Sequence, residues 1–229
     1  MKDINDNMVR EFIYYSQKAK TTGNFGDDLM KAGRMDIACQ IVIMAFFISH
    51  KLRGNVKLHL IFNGPPDAPK HIEMFPGKAL GEDSEHDISK KDVAGLIKKL
   101  LYKYKPGINN EVMKGYFIEK KGIIEVVNEM LDSGKEIFIL DKKGEDIRKI
   151  DIGKSPVFIL GDHDGIPKQE LKRLKKMDQK KSEELFRAGK ITDKENFSSI
   201  KKISVGNEMY FASQTMTIVQ NELDRRWVE

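Results

Sequence analysis

Apolar residues fall along this chain in two patterns: short dense blocks, and longer stretches with helical spacing. Residues 9–15, 56–62, 136–141 and 156–160 are dense blocks bounded by Gly, Pro, Asn or Asp, the signature of strands. The most informative is 157–160, four apolar residues that run into Gly161-Asp162-His163-Asp164-Gly165-Ile166-Pro167. A continuous apolar run of this kind predicts a strand buried on both faces in a parallel sheet. Gly161 and Gly165 allow a tight turn or a close backbone approach to a ligand, and Pro167 opens a helix. In open α/β sheets, ligands bind outside the carboxyl ends of such strands, so the turn at 161–165 marks a small-molecule site.

Longer stretches predict helices over 33–50, 90–105, 123–131 and 209–226, plus a Lys-rich helix after Pro167. Ser89 is placed to cap the second of these. The first is apolar with no clear polar face and reads as buried. Arg34 and Asp36 stand at its start, where a carboxylate suits the helix dipole, and His50 and Arg53 at its end, where a cation does. In the last helix Met209, Ala212, Met216, Val219 and Leu223 form one apolar stripe, suited to a core or a subunit contact. Shorter strands are expected at 71–74, 116–118 and 202–205. The stretches 18–28, 63–66, 81–87 and 142–146 read as loops or turns, the first long and mobile. Strands alternate with helices throughout, which predicts one α/β domain with a mainly parallel sheet and helices on both faces.

Composition narrows the class. With 229 residues, 40% hydrophobic, the chain can bury a full core. A single cysteine, Cys39, excludes an internal disulfide and a thiolate zinc site, and fits a reducing compartment. The first residues lack the apolar core of a signal peptide, so a cytoplasmic protein without membrane contact is expected. Net charge is +5, but residues 167–202 alone hold 12 Lys/Arg against 6 Asp/Glu, 12 − 6 = +6. Such a local excess suits RNA as partner.

Several chemistries are excluded by spacing. Gly-x-Gly-x-x-Gly, a phosphate loop and a Gly-x-Ser-x-Gly elbow are all missing, and Cys39 lies inside an apolar stretch. Adjacent Asp162, His163 and Asp164 are poorly disposed to converge on one ion, so no metal is expected. What remains is a pocket formed at strand ends by 140, 161–165 and 204–209, beside a basic surface. Catalysis there would proceed by positioning two substrates.

Those same blocks carry a resemblance. The strand ending at Leu140, the run Val-Phe-Ile-Leu-Gly-Asp-His-Asp-Gly-Ile and the Ile-Ser turn before a C-terminal helix resemble the SPOUT methyltransferases. With Arg10-Glu11-Phe12-Ile13, Gly33-Arg34-Met35-Asp36, residues 45–50 and Gly144-Glu145-Asp146, the chain is most similar to the archaeal tRNA pseudouridine-54 N1-methyltransferase family. The resemblance implies a C-terminal trefoil knot, with substrate-facing elements in 8–120 and cofactor binding in 121–229. It implies S-adenosylmethionine as cofactor, held at Leu140, Gly161, Ser204, Val205, Gly206, Asn207, Glu208, Met209 and Thr215. Arg34 and Arg53 would contact the RNA, and Asp36 would serve as general base or orient the target base. A homodimer packed through knot helices, with tRNA as partner, is implied as well. A ribosomal-RNA pseudouridine N1-methyltransferase and a non-catalytic RNA-binding module are the alternatives. Thr215 stands where the family commonly has cysteine. Its paired arginines correspond here to Glu119-Lys120, which takes positive charge from the implied RNA surface.

Overall fold

The structure, a computed structural model, describes residues 8–49, 51–79, 92–194 and 196–227. The chain begins with β1 (Arg10–Ser16), α1 (Met35–Phe46), a hairpin of β2 (Phe47–Ile48) and β3 (Lys51–Leu52), then β4 (Val56–Phe62) and β5 (Lys70–Met74). Next come α2 (Pro76–Ala79), α3 (Val93–Tyr102), the hairpin β6 (Asn110–Met113) and β7 (Tyr116–Glu119), and α4 (Ile123–Asp132). The rest is β8 (Ile137–Asp146), β9 (Val157–Gly161), α5 (Lys168–Arg187), β10 (Ile200–Ser204) and α6 (Ala212–Arg226).

Eight strands form one sheet in the order β10-β8-β9-β1-β4-β5-β7-β6. The first five are mutually parallel and the last three are antiparallel additions. Side chains alternate along each strand, which divides the core in two. Phe12, Tyr14, Leu58, Leu60, Phe138 and Phe158 face the layer of α1, α3 and α6. Ile13, Tyr15, Ile61, Ile139 and Ile159 face α4 and α5. Each fully buried side chain of this size contributes about 1.5–3 kcal/mol, so the central strands fix the fold. The predicted class, a largely parallel sheet with helices on both faces, is what the molecule has.

Elements differ from the sequence reading where side-chain pattern could not register tertiary pairing. Helix α1 stops at Phe46, because Phe47 turns extended (φ −94°, ψ 131°) and Phe47–Ile48 pair with Lys51–Leu52. Arg53 thus follows a hairpin, although its amide still reaches the Phe46 carbonyl at 2.7 Å; His50 lies outside the described residues. The 18–28 loop is packed rather than free: Ala19, Thr21 and Phe25 are buried, and Thr21 is bonded to Pro65 and Gly64. Residues 110–113 form a further strand, β6, against β7. The expected 81–87 loop and the Ser89 cap lie outside the described residues. Helix α6 begins at Ala212, not Met209. Met216, Val219 and Leu223 are buried within the protomer's own core beside α1, so the apolar stripe is core. Exposed apolar surface lies instead at Met209, Tyr210 and Phe211.

Candidate functional site

Neighbouring parallel strands bring the predicted loops to one edge of the sheet. Lys202 is registered with Ile139, Ile139 with Ile159, and Gly161 with Tyr15. The ends of β10, β8, β9 and β1 therefore lie side by side, and Leu140, Gly161 and Ser204 stand within a few residues of one level. This is the ligand end of an open parallel sheet.

Each loop has its own local cause. After β9, Asp162 acts as a staple: its carboxylate accepts from Ser16 Oγ at 3.1 Å, the Gln17 amide at 2.9 Å and the Asp164 amide at 3.0 Å. The loop closes so tightly that a Cβ at Gly161 would lie 2.5 Å from the Gly165 carbonyl carbon. Gly161 is thus required first by the loop's own closure, a reason the strand-end pattern alone did not supply. Lys18 pairs with Asp164 at 2.6 Å, and His163 is 3.5 Å from the same carboxylate. Contrary to expectation, the turn brings the ligand atoms of Asp162, His163 and Asp164 within 4.8 Å of one another, and the two carboxylates are engaged in hydrogen bonds and an ion pair within the chain.

Strand β8 is longer than expected. Ile139 pairs with Lys202 but Glu145 pairs with Ile203, so residues 140–144 loop out between two ladder segments. A Cβ at Gly144 would come within 2.4 Å of the Ile203 backbone, which makes glycine the residue that permits this approach. Leu140, half-buried, starts the outward loop. Beyond β10, Ser204 Oγ donates to the Gly206 carbonyl at 2.8 Å and accepts from the Gly206 amide at 3.2 Å. Val205 packs against the core edge, while Asn207, Glu208 and Met209 are exposed, and their amides have no partner in the described chain. Thr215 is buried in the first turns of α6. This donor set fits a nucleoside-like group, with free backbone amides on one loop and an apolar wall at Leu140.

Arg34 and Asp36 form one unit at the start of α1. Arg34 adopts the left-handed conformation (φ 64°, ψ 40°), and its guanidinium donates to both Asp36 oxygens at 3.0 Å. This bond, aided by amides at the helix N-terminus, holds the Asp36 carboxyl below the usual range; the same bond raises Arg34. Both side chains are partly exposed, and the charge of Asp162 reaches Arg34. Tyr14, fully buried on β1, feels both sites. Burial above all, then Asp162, pushes its hydroxyl upward, and the hydroxyl has no hydrogen-bond partner in the described chain. Tyr14 carried no sequence signal, because its neighbours arrive from β9 and α1.

Arg53 is committed elsewhere. Its two terminal nitrogens donate to Asp224 at 2.7 and 2.6 Å, and Arg10 donates to the same carboxylate at 2.8 Å and to Gln220 Oε1 at 2.7 Å. Arg10 also lies 4.8 Å from the centre of the Trp227 ring. The two arginines clamp the end of α6. On the opposite layer, Lys168, Lys172, Arg173, Lys175, Lys176 and Lys180 are exposed along α5.

A parallel sheet with adjacent strand-end loops, an Arg–Asp pair at a helix start and a basic helix belongs to the class of open α/β proteins that take a small ligand at the carboxyl ends of their strands. The model of the family described as "Putative SAM-dependent RNA methyltransferase" matches residues 9–183, and the chain belongs to that family. It is 33% identical over 224 residues to a tRNA (pseudouridine(54)-N(1))-methyltransferase of Methanococcoides burtonii, covering 95% of this chain and 96% of that one. A protein of the same name from Methanocaldococcus jannaschii is 31% identical, with 95% and 98% covered. Among solved structures, Archaeoglobus fulgidus Nep1 bound to S-adenosylhomocysteine superimposes with a TM-score of 0.55 at 13% identity, covering 95% of this chain and 98% of that one. At that identity the likeness speaks for the fold.

Proposed function

We propose that this protein transfers the methyl group of S-adenosylmethionine to N1 of pseudouridine 54 in the T-loop of tRNA. The observation that carries the reading is likeness over nearly the whole chain to relatives named for that reaction. The cofactor supplies an electrophilic methyl group on sulfonium sulfur. Leu140 would offer an apolar face to its adenine, the 204–209 loop its backbone amides, and Gly161 the loop closure that shapes the third wall. Thr215 would close the pocket from α6.

Asp36 faces the methyl acceptor in this reading. A carboxylate held low by Arg34 is a weak base at neutral pH, because general-base catalysis favours a pKa near the working pH. Asp36 therefore acts by accepting a hydrogen bond from N1–H and aligning the ring, and the N1 proton is released to solvent water as N1 takes the methyl group and the sulfonium becomes a thioether; Arg34 fixes the carboxylate and offers its outer edge to the RNA. Arg53, bound to Asp224, supports the substrate side through the position of α6 rather than as a free charge. The target base must leave its stack to reach the methyl group. Lysines on α5 would hold backbone phosphates.

The knot and the homodimer belong to the same proposal. Close passage of Ile203 against Gly144 supports threading of the chain by the 140–144 loop. Exposed Met209, Tyr210 and Phe211, with uncharged Gln40, Met44, Gln214, Thr217 and Asn221 exposed on α1 and α6, support a second copy as the cover. No helix among the described residues is long and apolar enough to cross a membrane; a cytoplasmic location follows from tRNA as substrate. Calorimetric titration with S-adenosylmethionine, with and without tRNA, tests the cofactor half of the reading. Micromolar binding is expected, and no binding in either condition would remove it.

A further inference from the structure

Away from the strand-end loops, the face of the sheet that carries α4 holds a row of four side chains crossing four strands. Glu11 of β1, His59 of β4, His71 of β5 and Glu119 of β7 stand in line. His59 Nε2 is 3.3 Å from Glu11 Oε2, His59 Nδ1 is 2.9 Å from His71 Nε2, and His71 Nδ1 is 3.0 Å from Glu119 Oε1. The imidazoles stack with centroids 5.1 Å apart and planes 15° apart. Glu11, His59 and His71 are 4%, 3% and 5% exposed, so water does not complete the row.

Counting protons across this row gives a definite charge. There are three contacts, each between two electronegative atoms, and each requires one proton to be attractive. Two neutral imidazoles bring two. With both glutamates ionised, every tautomer choice then leaves at least one contact without a proton: an imidazole lone pair faces either a carboxylate or the lone pair of the other imidazole. Both glutamates are held down to about 2, against the desolvation that burial imposes, by their histidine and lysine neighbours. Neither carboxylate therefore supplies the missing proton.

We propose that His59 and His71 share one additional proton, forming a buried imidazole–imidazolium pair clasped between Glu11 and Glu119. The ligand of this site is the proton, and the clasp ties the antiparallel strands β5 and β7 to the parallel core. Its surroundings agree in charge. Lys57 of β4 approaches Glu11 at 4.0 Å and Glu73 of β5 at 3.9 Å, and Glu73 is 3.8 Å from His59 Nδ1. Lys135, after α4, pairs with Glu11 at 2.5 Å; Lys121, before α4, pairs with Glu119 at 2.8 Å and with Glu129 of α4 at 2.9 Å. Four carboxylates against three ammonium groups leave 3 − 4 = −1, which the shared proton neutralises. A second extra proton is opposed: burial first lowers His71, and the charge of His59 adds to that. Because the pair titrates as a unit, its steps belong to both rings.

The sign of the pH effect follows. The proposed shared proton, retained by the folded pair where free imidazoles have released theirs, stabilises the folded chain at pH 7.5. That stability is lost as the pH rises through the pair's own folded value.

The test is nitrogen-15 NMR of histidine-labelled full-length protein across neutral and alkaline pH, on the natural chain and on Glu119→Gln. In the natural chain the four ring nitrogens of His59 and His71 should carry three protons at pH 7.5, with one loss at higher pH accompanied by a fall in melting temperature. A glutamine amide at 119 can donate to His71 Nδ1, so Glu119→Gln satisfies the row with two protons. It should show two neutral rings at pH 7.5 and no alkaline fall. Two neutral rings in the natural chain at pH 7.5, or two imidazoliums, would overturn the proposal. That reading needs no variant, so misfolding of Glu119→Gln leaves it decisive.

Discussion

At Asp36 the chemistry reduces to one bidentate ion pair at a helix start. Its depressed carboxyl is a hydrogen-bond acceptor with a charge, not a proton sink near neutrality. Asp36→Asn keeps the acceptor and removes the charge. S-adenosylmethionine affinity should stay within about twofold, while single-turnover methyl transfer should fall by ~10²-fold, the scale on which removing a general acid/base or an electrostatic stabiliser acts. The pH profile carries a second expectation. Asp36 stays ionised until the pH drops below its lowered folded value, itself below the ordinary ~3.9, so transfer should show no acid limb from this residue above about pH 4. A limb centred near neutrality that vanishes in Asp36→Asn would contradict the orienting role. Arg34 and Asp36 were readable in the sequence because they are two residues apart at a helix start. Tyr14, Ser16, His59 and His71 were not, because their partners arrive across the sheet from other strands.

Among the elements, the strand-end loops were legible in outline and not in cause. The block at 157–161 announced a buried strand and a turn, and the turn is there. Its staple, the bonds from Ser16 and Gln17 to Asp162, joins residues some 145 positions apart and leaves no periodic trace. The β8 bulge escaped for the same reason: residues 136–141 read as a strand and 142–146 as a turn, and only Ile203 on β10 shows why Gly144 must be glycine. Gly161→Val should therefore open the 161–165 loop and abolish measurable cofactor binding by calorimetry, with a fold still cooperative by circular dichroism. The clamp at α6 gives a stability prediction. Asp224→Ala leaves Arg10, with its side chain 4% exposed, facing Arg53 without a carboxylate. Breaking a buried pair costs about 3–5 kcal/mol; with Asp224 partly exposed, about 2–3 kcal/mol is expected, a fall in melting temperature of roughly 5–10 °C. On the acid side, Glu11 and Glu119 contribute stability that is complete above the unfolded value of ~4.3 and is lost as the pH falls towards about 2, which acid denaturation followed by fluorescence would show.

Taken as a whole, the molecule joins an edge of strand-end loops, an Arg–Asp pair at a helix start and a basic helix in one sheet-centred body. Alternation of strands and helices disclosed the class, and the charge excess in 167–202 disclosed the basic helix. The proposed knot would have no local signature, since threading depends on chain path and not on pattern. The apolar stripe of the last helix left core and subunit contact open, because an apolar helix face says only that something covers it; at Met216, Val219 and Leu223 the protomer's own core beside α1 does. The proposed binding of phosphates by α5 makes a direct prediction. Replacing Lys172, Lys175 and Lys176 with Gln should flatten the dependence of log tRNA affinity on log salt by up to ~0.9 for each phosphate no longer neutralised, leaving cofactor affinity unchanged. An unaltered slope would place the RNA elsewhere. The central claim is tested most directly by incubating the protein with S-adenosylmethionine and tRNA containing pseudouridine 54, then mapping nucleosides by mass spectrometry. One added methyl on N1 of pseudouridine 54, absent when that position is uridine, is the predicted result; cofactor binding with the methyl placed at another nucleotide, or with none transferred, would contradict it.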